Sequence, residues 1–248
     1  MKILFTICGR AGSKGIKNKN IKSFVGKPLP YYTLSAIDLY LTRHSNETFD
    51  IVVNSDSNEL LSMMVSNGIR PVEIIKRDQE LAGDTVGKID VIHSCLNIMK
   101  SRKGYEYDVV VDLDITSPLR RVADIENLLD IHVRTGADVT TSVVPARRNP
   151  YFNQLKKAKK GFCKVCNSDL TTRQQAPDVY DMNASLYAYC PQYLESGKLV
   201  LDGHVEIIEM YETGILDLDH KNDLELMTVI AEYLFKTKDE FREIYENC

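Results

Sequence analysis

Short apolar runs alternate with amphipathic stretches along most of the chain. Continuous apolar runs are typical of buried strands, whereas apolar residues spaced three and four apart are typical of helices. Because strands that alternate with helices form βαβ units, this order predicts a mainly parallel sheet. The predicted strands cover residues 3–8, 51–54, 72–75, 109–113, 139–144, 184–190 and 205–210. The predicted helices lie near residues 31–41, 58–67, 89–99, 125–132 and 223–235.

The predicted strands also indicate how the sheet is covered. Residues 108–112, Asp-Val-Val-Val-Asp, have an apolar centre without alternation of polar and apolar positions. Strands of this kind suit a sheet whose two faces are both covered by helices. We therefore predict a Rossmann-like, doubly wound α/β fold that forms a single domain over residues 1–248.

The regular pattern breaks between about residues 145 and 180. This stretch contains Arg147-Arg148-Asn149-Pro150 and lysines at positions 156, 157, 159 and 160, without sustained periodicity. We interpret it as an insertion within the domain, which could form a hairpin, a lid or a dimerisation arm.

Composition limits the classes of partner. The 31 Lys and Arg and 35 Asp and Glu residues give a net charge of −4, which provides no general attraction to nucleic acid or to anionic membranes. No apolar run is long enough to span a bilayer, and the first residues lack a signal-peptide pattern. We expect a cytoplasmic protein with no nucleic-acid or membrane partner. The six cysteines are scattered, so we expect reduced thiols.

The loop after the first predicted strand carries the clearest chemical signal. Residues 8–20 contain Gly9, Gly12 and Gly15 together with the cations Arg10, Lys14 and Lys19. Ligands of open α/β sheets bind beyond the carboxyl ends of the strands, where this loop lies. Glycines let the backbone approach a ligand closely, and the cations suit a polyphosphate. The glycine spacing matches neither a P-loop nor a dinucleotide-binding fingerprint.

Two acidic motifs are candidate sites. In Asp217-Leu218-Asp219, the carboxylates at i and i+2 point to the same side of an extended segment, where they can share a hard cation. The alternative is helix capping, since a helix is predicted to follow. Asp112 and Asp114 lie at the carboxyl end of a predicted buried strand, where functional residues gather.

These motifs, taken together, resemble those of the acylneuraminate cytidylyltransferases, the CMP-sialic acid synthetases. The resemblance rests on Arg10-x-x-Ser13-Lys14-Gly15, Lys19-Asn20, Gly26-Lys27-Pro28-Leu29, Asn54-Ser55-Asp56, residues 77–85, Thr116-Ser117-Pro118-Leu119-Arg120, Asn183 to Tyr187 and Asp217-Leu218-Asp219. Residues 144–153, 172–177 and 180–185 are most similar to the branch that activates legionaminic acid.

The resemblance implies a cytidylyltransferase that transfers CMP from CTP to the anomeric hydroxyl of a nine-carbon 2-keto sugar acid and releases pyrophosphate. A sugar acid of the legionaminic type is expected, with sialic or pseudaminic acid as alternatives. The resemblance also implies Mg²⁺ as cofactor, a homodimer formed through residues 145–180, and a role in surface polysaccharide biosynthesis. Arg147 and Arg148 would then reach a partner's active site or form an ion pair at the interface.

The resemblance assigns roles to individual residues. The nucleotide-binding set is Arg10, Gly12, Ser13, Lys14, Lys19, Asn20 and Arg77. The sugar-acid set is Asp114, Arg173, Asn183 and Tyr187. Asp217 and Asp219 are the expected metal ligands and, with Arg10 and Lys19, the expected catalytic residues.

Some alternatives stay open on the sequence alone. Arg77 could instead be a surface cation paired with Asp78 or Glu80, and Tyr187 could be a core aromatic. Asp114 stands where the most similar sialate enzymes carry Gln, which disfavours sialic acid as substrate and leaves open a role in metal binding or proton acceptance. A glycosyltransferase and a non-catalytic nucleotide-binding protein are the alternative functions.

Overall fold

A computed structural model describes residues 1–12, 15–83 and 85–248. Its strands are β1 (Lys2–Cys8), β2 (Ser23–Phe24), β3 (Lys27–Pro28), β4 (Thr48–Ser55), β5 (Glu73–Lys76), β6 (Val109–Leu113), β7 (Val139–Pro145), β8 (Leu155–Lys157), β9 (Phe162–Lys164), β10 (Tyr180–Tyr189) and β11 (Val205–Glu209). Its α-helices are α1 (Leu29–Arg43), α2 (Asn58–Val65), α3 (Lys88–Lys103), α4 (Val122–Thr135), α5 (Pro191–Glu195), α6 (Lys221–Thr237) and α7 (Asp239–Glu246).

Seven strands form one mixed sheet in the order β11-β7-β10-β6-β1-β4-β5. Strand β1 runs parallel to its neighbours β4 and β6, β4 runs parallel to β5, and β7 runs parallel to β11. Strand β10 runs antiparallel to both β6 and β7. The predicted Rossmann-like, mainly parallel α/β fold is confirmed.

Helices cover both faces of the sheet, and successive side chains of a strand point to opposite faces. In β1, Ile3 and Phe5 join the core beneath α1, α2, α4, α6 and α7, whereas Leu4 joins the core beneath α3 and α5. All three side chains are fully buried. Burial of one such side chain stabilises the fold by about 1.5–3 kcal/mol.

Strand β10 begins earlier than the pattern predicts. It starts at Tyr180 rather than at residue 184, and its register with β7 shifts between Met182 and Tyr187. Ala184 within this irregularity has a φ of 53°, a conformation that is uncommon for residues other than glycine. The bulge disrupts the alternation of side chains, which is why the first part of the strand does not show a strand pattern in the sequence.

Residues 145–180 leave the main sheet after β7 and return in β10. They contain the antiparallel β8–β9 hairpin, on which Leu155 and Phe162 are exposed. In the described part of the chain, no helix is long and apolar enough to cross a membrane.

Candidate active site

A cleft of about 680 Å³ lies beyond the carboxyl ends of β1, β5 and β6. It collects segments that are far apart in the sequence: the loop after β1, the chain around α3, the end of β6 and the segment before α6. The predicted site residues that line it are Arg10, Lys19, Asn20, Arg77, Asp114, Asp217 and Asp219.

The loop after β1 is anchored at its base. The main-chain N–H of Gly9 donates to the carbonyl of Asn54 at 3.1 Å, and the N–H of Ala11 donates to Asp56 Oδ1 at 2.8 Å. Further along, Asn20 Nδ2 donates to the carbonyl of Arg10 at 3.0 Å. These bonds hold the loop over the carboxyl end of the sheet. Gly12 is exposed, and Ser13 and Lys14 lie outside the described residues.

The far part of the same loop packs on the acidic segment that precedes α6. A Cβ atom on Gly15 would overlap the main-chain oxygen of Asp219, so this close approach requires glycine. Lys19 Nζ lies 2.8 Å from Asp219 Oδ1. Leu218 is fully buried, and its N–H donates to the carbonyl of Thr116 at 3.0 Å. The two aspartates therefore flank a buried leucine, and both line the cleft.

One oxygen of the Asp217 carboxylate, Oδ1, is buried and lacks a hydrogen-bond partner in the described structure. Burial raises the pKa of Asp217, and the nearby Asp114 and Asp219 carboxylates add to this effect, while Thr116 and Lys19 offset part of it. A bound cation would compensate this buried charge.

This donor set fits Mg²⁺, which is usually bound by one or two carboxylates together with substrate phosphates. Among residues 1–12, 15–83 and 85–248, no three His, Cys, Asp or Glu side chains converge as a metal-binding group. The aspartate pair would therefore need phosphate oxygens and water to complete the coordination.

Arg77 is buried rather than displayed on the surface. Its Nε donates to Asn54 Oδ1 at 2.6 Å, and its Nη2 donates to the Asn54 carbonyl at 3.3 Å. Its side chain is only 8% exposed, and it lines the cleft. The alternative of a surface cation is therefore wrong. Since Asn54 is neutral, these bonds orient the guanidinium without neutralising its charge.

Lys88 is a site residue that the sequence analysis missed. It is the first residue of α3, and its Nζ lies 2.6 Å from Asp112 Oδ2 and 2.7 Å from Asp114 Oδ2. Asp114 Oδ1 also accepts hydrogen bonds from the N–H and Oγ1 of Thr116, at 3.1 and 3.0 Å. In the sequence, Lys88 stands out only as a lysine that directly follows Gly87 at the start of a helix. The spacing of apolar and polar residues does not reveal its carboxylate partners.

The Asp114 carboxylate is ionised over the physiological pH range. Burial alone would raise its pKa, but Lys88 and the hydrogen bonds from Thr116 lower the pKa of Asp114 to about 2. A group with so low a pKa is a poor proton acceptor at neutral pH. The geometry therefore disfavours the proton-acceptor role that the sequence left open, and it favours hydrogen-bond acceptance.

Arg120 fixes the main chain beneath the cleft. It is fully buried and donates to the carbonyl of Asp114, to the carbonyl of Ser117 at 2.6 Å and to Thr33 Oγ1 at 3.2 Å. Burial lowers the pKa of Arg120 to about 10, so the guanidinium stays charged at neutral pH. Both of its terminal nitrogens donate to the protein, which makes it a support for the loop after β6.

Three of the four predicted sugar-acid residues do not line the cleft. Asn183 is buried, with its Oδ1 accepting from Ser142 Oγ at 2.6 Å and its Nδ2 donating to Met210 Sδ at 3.3 Å. Tyr187 is half-buried on β10 and stacks on Tyr189 with 5.8 Å between the ring centroids.

Arg173 lies within the insertion. It is exposed and lines a separate pocket of about 290 Å³ beside Pro145 and Tyr180. Arg147 and Arg148 are also outside the cleft, and Arg147 Nη2 lies 3.3 Å from Glu212 Oε2 on the surface. The single chain therefore brings none of the three insertion arginines into its own cleft.

A family model described as "Cytidylyltransferase" matches residues 4–242. The chain belongs to the cytidylyltransferase family. It is therefore a nucleotidyltransferase.

Several curated relatives match almost the whole chain. One is the post-translational flagellin modification protein B of Campylobacter coli, 34% identical, with 96% of this chain and 97% of the relative covered. Another is the CMP-N,N'-diacetyllegionaminic acid synthase of Campylobacter jejuni, 33% identical with the same coverage. The synthase of the same name from Legionella pneumophila is 30% identical over 94% of this chain and 97% of the relative.

Solved structures of low sequence identity share the fold. The CMP:2-keto-3-deoxy-manno-octonic acid synthetase complexed with CTP superposes with a TM-score of 0.67 at 15% identity, covering 94% of this chain and 99% of that one. The 4-diphosphocytidyl-2C-methyl-D-erythritol synthase of Anaerococcus prevotii gives a TM-score of 0.60 at 11% identity, covering 93% and 99%. At these identities the likeness concerns the fold alone.

Proposed function

We propose that this cytidylyltransferase transfers CMP from CTP to the anomeric hydroxyl of a nine-carbon 2-keto sugar acid of the legionaminic type. The observation that carries the proposal is the cleft in which Arg10, Lys19, Asp114, Asp217 and Asp219 meet. The similarity to relatives named CMP-N,N'-diacetyllegionaminic acid synthase supports this sugar acid. Relatives named for pseudaminic acid and N-acylneuraminate are 25% and 24% identical, and these acids are the alternatives.

The chemistry requires a nucleophile in line with the α-phosphorus and compensation of phosphate charge as pyrophosphate leaves. Arg10 and Lys19 line the cleft and supply positive charge for the triphosphate. Arg77, oriented by Asn54, would hold the cytidine end of CTP together with Asn20. Because the loop is anchored before the substrate binds, less conformational entropy of the loop is lost on binding.

Mg²⁺ fits this site, and Asp217 and Asp219 are the residues that would hold it. When bound, the ion would supply charge neutralisation on the phosphate oxygens. Lys19 Nζ contacts Asp219, so the cationic loop after β1 lies beside the proposed metal site.

The sugar acid would bind on the Asp114 side of the cleft, where the ionised carboxylate accepts hydrogen bonds from hydroxyl or amide N–H groups. Its own carboxylate needs a cation, and guanidinium groups suit bidentate recognition of carboxylates. Arg173, Arg147 and Arg148 lie on the insertion, away from this chain's cleft. We propose that the protein is a homodimer in which the insertion of one subunit reaches the cleft of the other.

The test is pyrophosphate release from CTP and Mg²⁺ with legionaminic, sialic, pseudaminic and 3-deoxy-octulosonic acids. We expect the highest kcat/KM with N,N'-diacetyllegionaminic acid. Preference for sialic or pseudaminic acid would support the proposed CMP transfer but would show that the sugar acid is not of the legionaminic type. No release with any acid, combined with a CTP-dependent rise in Tm, would favour a non-catalytic nucleotide-binding protein.

Light scattering tests the dimer. We expect twice the chain mass of 28.2 kDa at assay concentration. A fully active monomer would contradict the proposal that the insertion of one subunit reaches the cleft of the other.

A further inference from the structure

One lysine bridges two carboxylates at the end of β6, one deep in the protein and one in the cleft. Lys88 Nζ contacts Asp112 Oδ2 at 2.6 Å and Asp114 Oδ2 at 2.7 Å. The Asp112 side chain is fully buried, whereas the Lys88 and Asp114 side chains are 34% and 23% exposed. Lys88 therefore links a carboxylate in the core to one that lines the cleft.

The buried carboxylate of Asp112 is fixed in position. Asp112 Oδ1 accepts from Thr6 Oγ1 of β1 at 2.8 Å, and Lys88 is tied to the first turn of α3. A buried carboxylate without a cation is costly, so Asp112 holds Lys88 in place. Lys88 in turn holds the Asp114 carboxylate, whose other oxygen is held by Thr116.

The charges indicate which substrate this part of the cleft contacts. Lys88 is already shared between two carboxylates, so it has little attraction left for a triphosphate. The ionised Asp114 also repels phosphate and, since a carboxylate only accepts hydrogen bonds, it suits a donor group. The loop containing Arg10 and Lys19 lines the β1 side of the cleft, where Lys19 is paired with one carboxylate, that of Asp219, rather than two.

We propose that Lys88, anchored on Asp112, is a positioning residue that orients Asp114 to accept a hydrogen bond from a hydroxyl or amide N–H group of the acceptor sugar acid. This inference rests on the proposed function and specifies which residues select the acceptor. It concerns sugar-acid binding and leaves the binding of CTP to the other side of the cleft.

The experiment compares steady-state kinetics of wild type, Lys88→Met, Lys88→Arg and the double variant Lys88→Met/Asp112→Asn. The double variant removes the buried negative charge together with the lysine, so it folds without an unpaired carboxylate in the core. Arginine keeps the positive charge and can bridge both carboxylates. KM is measured separately for CTP and for N,N'-diacetyllegionaminic acid, and Tm is recorded for every variant.

Lys103→Met is a matched control at the other end of the same helix. Lys103 Nζ also bridges two carboxylates, Asp50 at 2.9 Å and Glu73 at 2.8 Å, away from the cleft. Loss of such a bridge affects stability without affecting the orientation of Asp114. We expect Lys103→Met to lower Tm and to leave both KM values within twofold of wild type.

We expect Lys88→Met and the double variant to raise KM for the sugar acid at least 20-fold, with KM for CTP within threefold of wild type. Lys88→Arg should recover at least a third of the lost kcat/KM. An unchanged sugar-acid KM in a folded variant, or an equal rise in KM for CTP, would overturn the inference while leaving the proposed function intact. No pyrophosphate release by the wild type with any sugar acid would overturn the proposed function and this inference with it.

Discussion

Lys19 Nζ lies 2.8 Å from Asp219 Oδ1, although the two residues are 200 positions apart in the chain. This ion pair joins the glycine-rich loop after β1 to the segment that precedes α6. Beside it, Gly15 packs on the main chain of Asp219. The side of the cleft that we propose to bind the triphosphate is thus assembled from segments near the two ends of the sequence.

Replacing both Asp217 and Asp219 by Asn should reduce kcat/KM at least 100-fold, because amides are weaker ligands for Mg²⁺ than carboxylates. The measurement is pyrophosphate release over a range of Mg²⁺ concentrations. Asp130→Asn on the exposed face of α4 is the control and should keep wild-type activity. Full activity of the double variant would show that Asp217 and Asp219 are not the Mg²⁺ ligands.

Replacing Gly15 by Ala should lower Tm by several degrees and weaken CTP binding at least tenfold, because the added Cβ would overlap the main-chain oxygen of Asp219. Gly12→Ala meets no atom within 4 Å, so its Tm should stay within one degree of wild type. Thermal unfolding with and without CTP measures both effects. Equal Tm values for the two variants would contradict the close packing.

Replacing Arg77 by Met should raise KM for CTP about 10- to 100-fold, because a cation held by Asn54 at the cleft wall is lost. KM for the sugar acid should change little. Arg77→Lys keeps the charge but loses the planar fork, and we expect it to recover only part of the affinity. A rise in both KM values to the same extent would show that Arg77 supports the whole cleft.

Stability should fall as the pH is lowered from 6.5 towards 4, in part because of His132. This histidine on α4 is 5% exposed and contacts Thr140 Oγ1 at 3.0 Å. Burial lowers the pKa of His132 to about 4, against an ordinary value near 6.5. Between these values the unfolded chain binds the proton and the folded protein does not, so acid favours unfolding by up to about 3 kcal/mol.

The check is urea denaturation of wild type and His132→Gln at pH 7 and pH 4.5. The variant lacks this titration, so it should lose less free energy of unfolding than wild type between the two pH values. An identical loss in both proteins would show that His132 is not a source of the acid sensitivity.

The sequence by itself determined the layered α/β fold and the glycine-rich part of the site. Strand and helix patterns are local, since they depend on residues one to four positions apart. The loop with Arg10 and Lys19 follows a buried strand directly, and Asp217 and Asp219 flank one apolar residue. Position in the chain predicted where the loop lies, and the resemblance to the cytidylyltransferases added Asp217 and Asp219 to the same site.

The tertiary structure decided which distant side chains meet. Lys88 is separated from Asp112 and Asp114 by the whole of α3, and Arg77 faces Asn54 only because β5 pairs with β4. The bulge near Ala184 sends Asn183 into contact with Ser142 and Met210, although the resemblance assigns Asn183 to the sugar-acid set. Such contacts depend on strand order and register, which short-range periodicity does not encode, so only the folded chain reveals them.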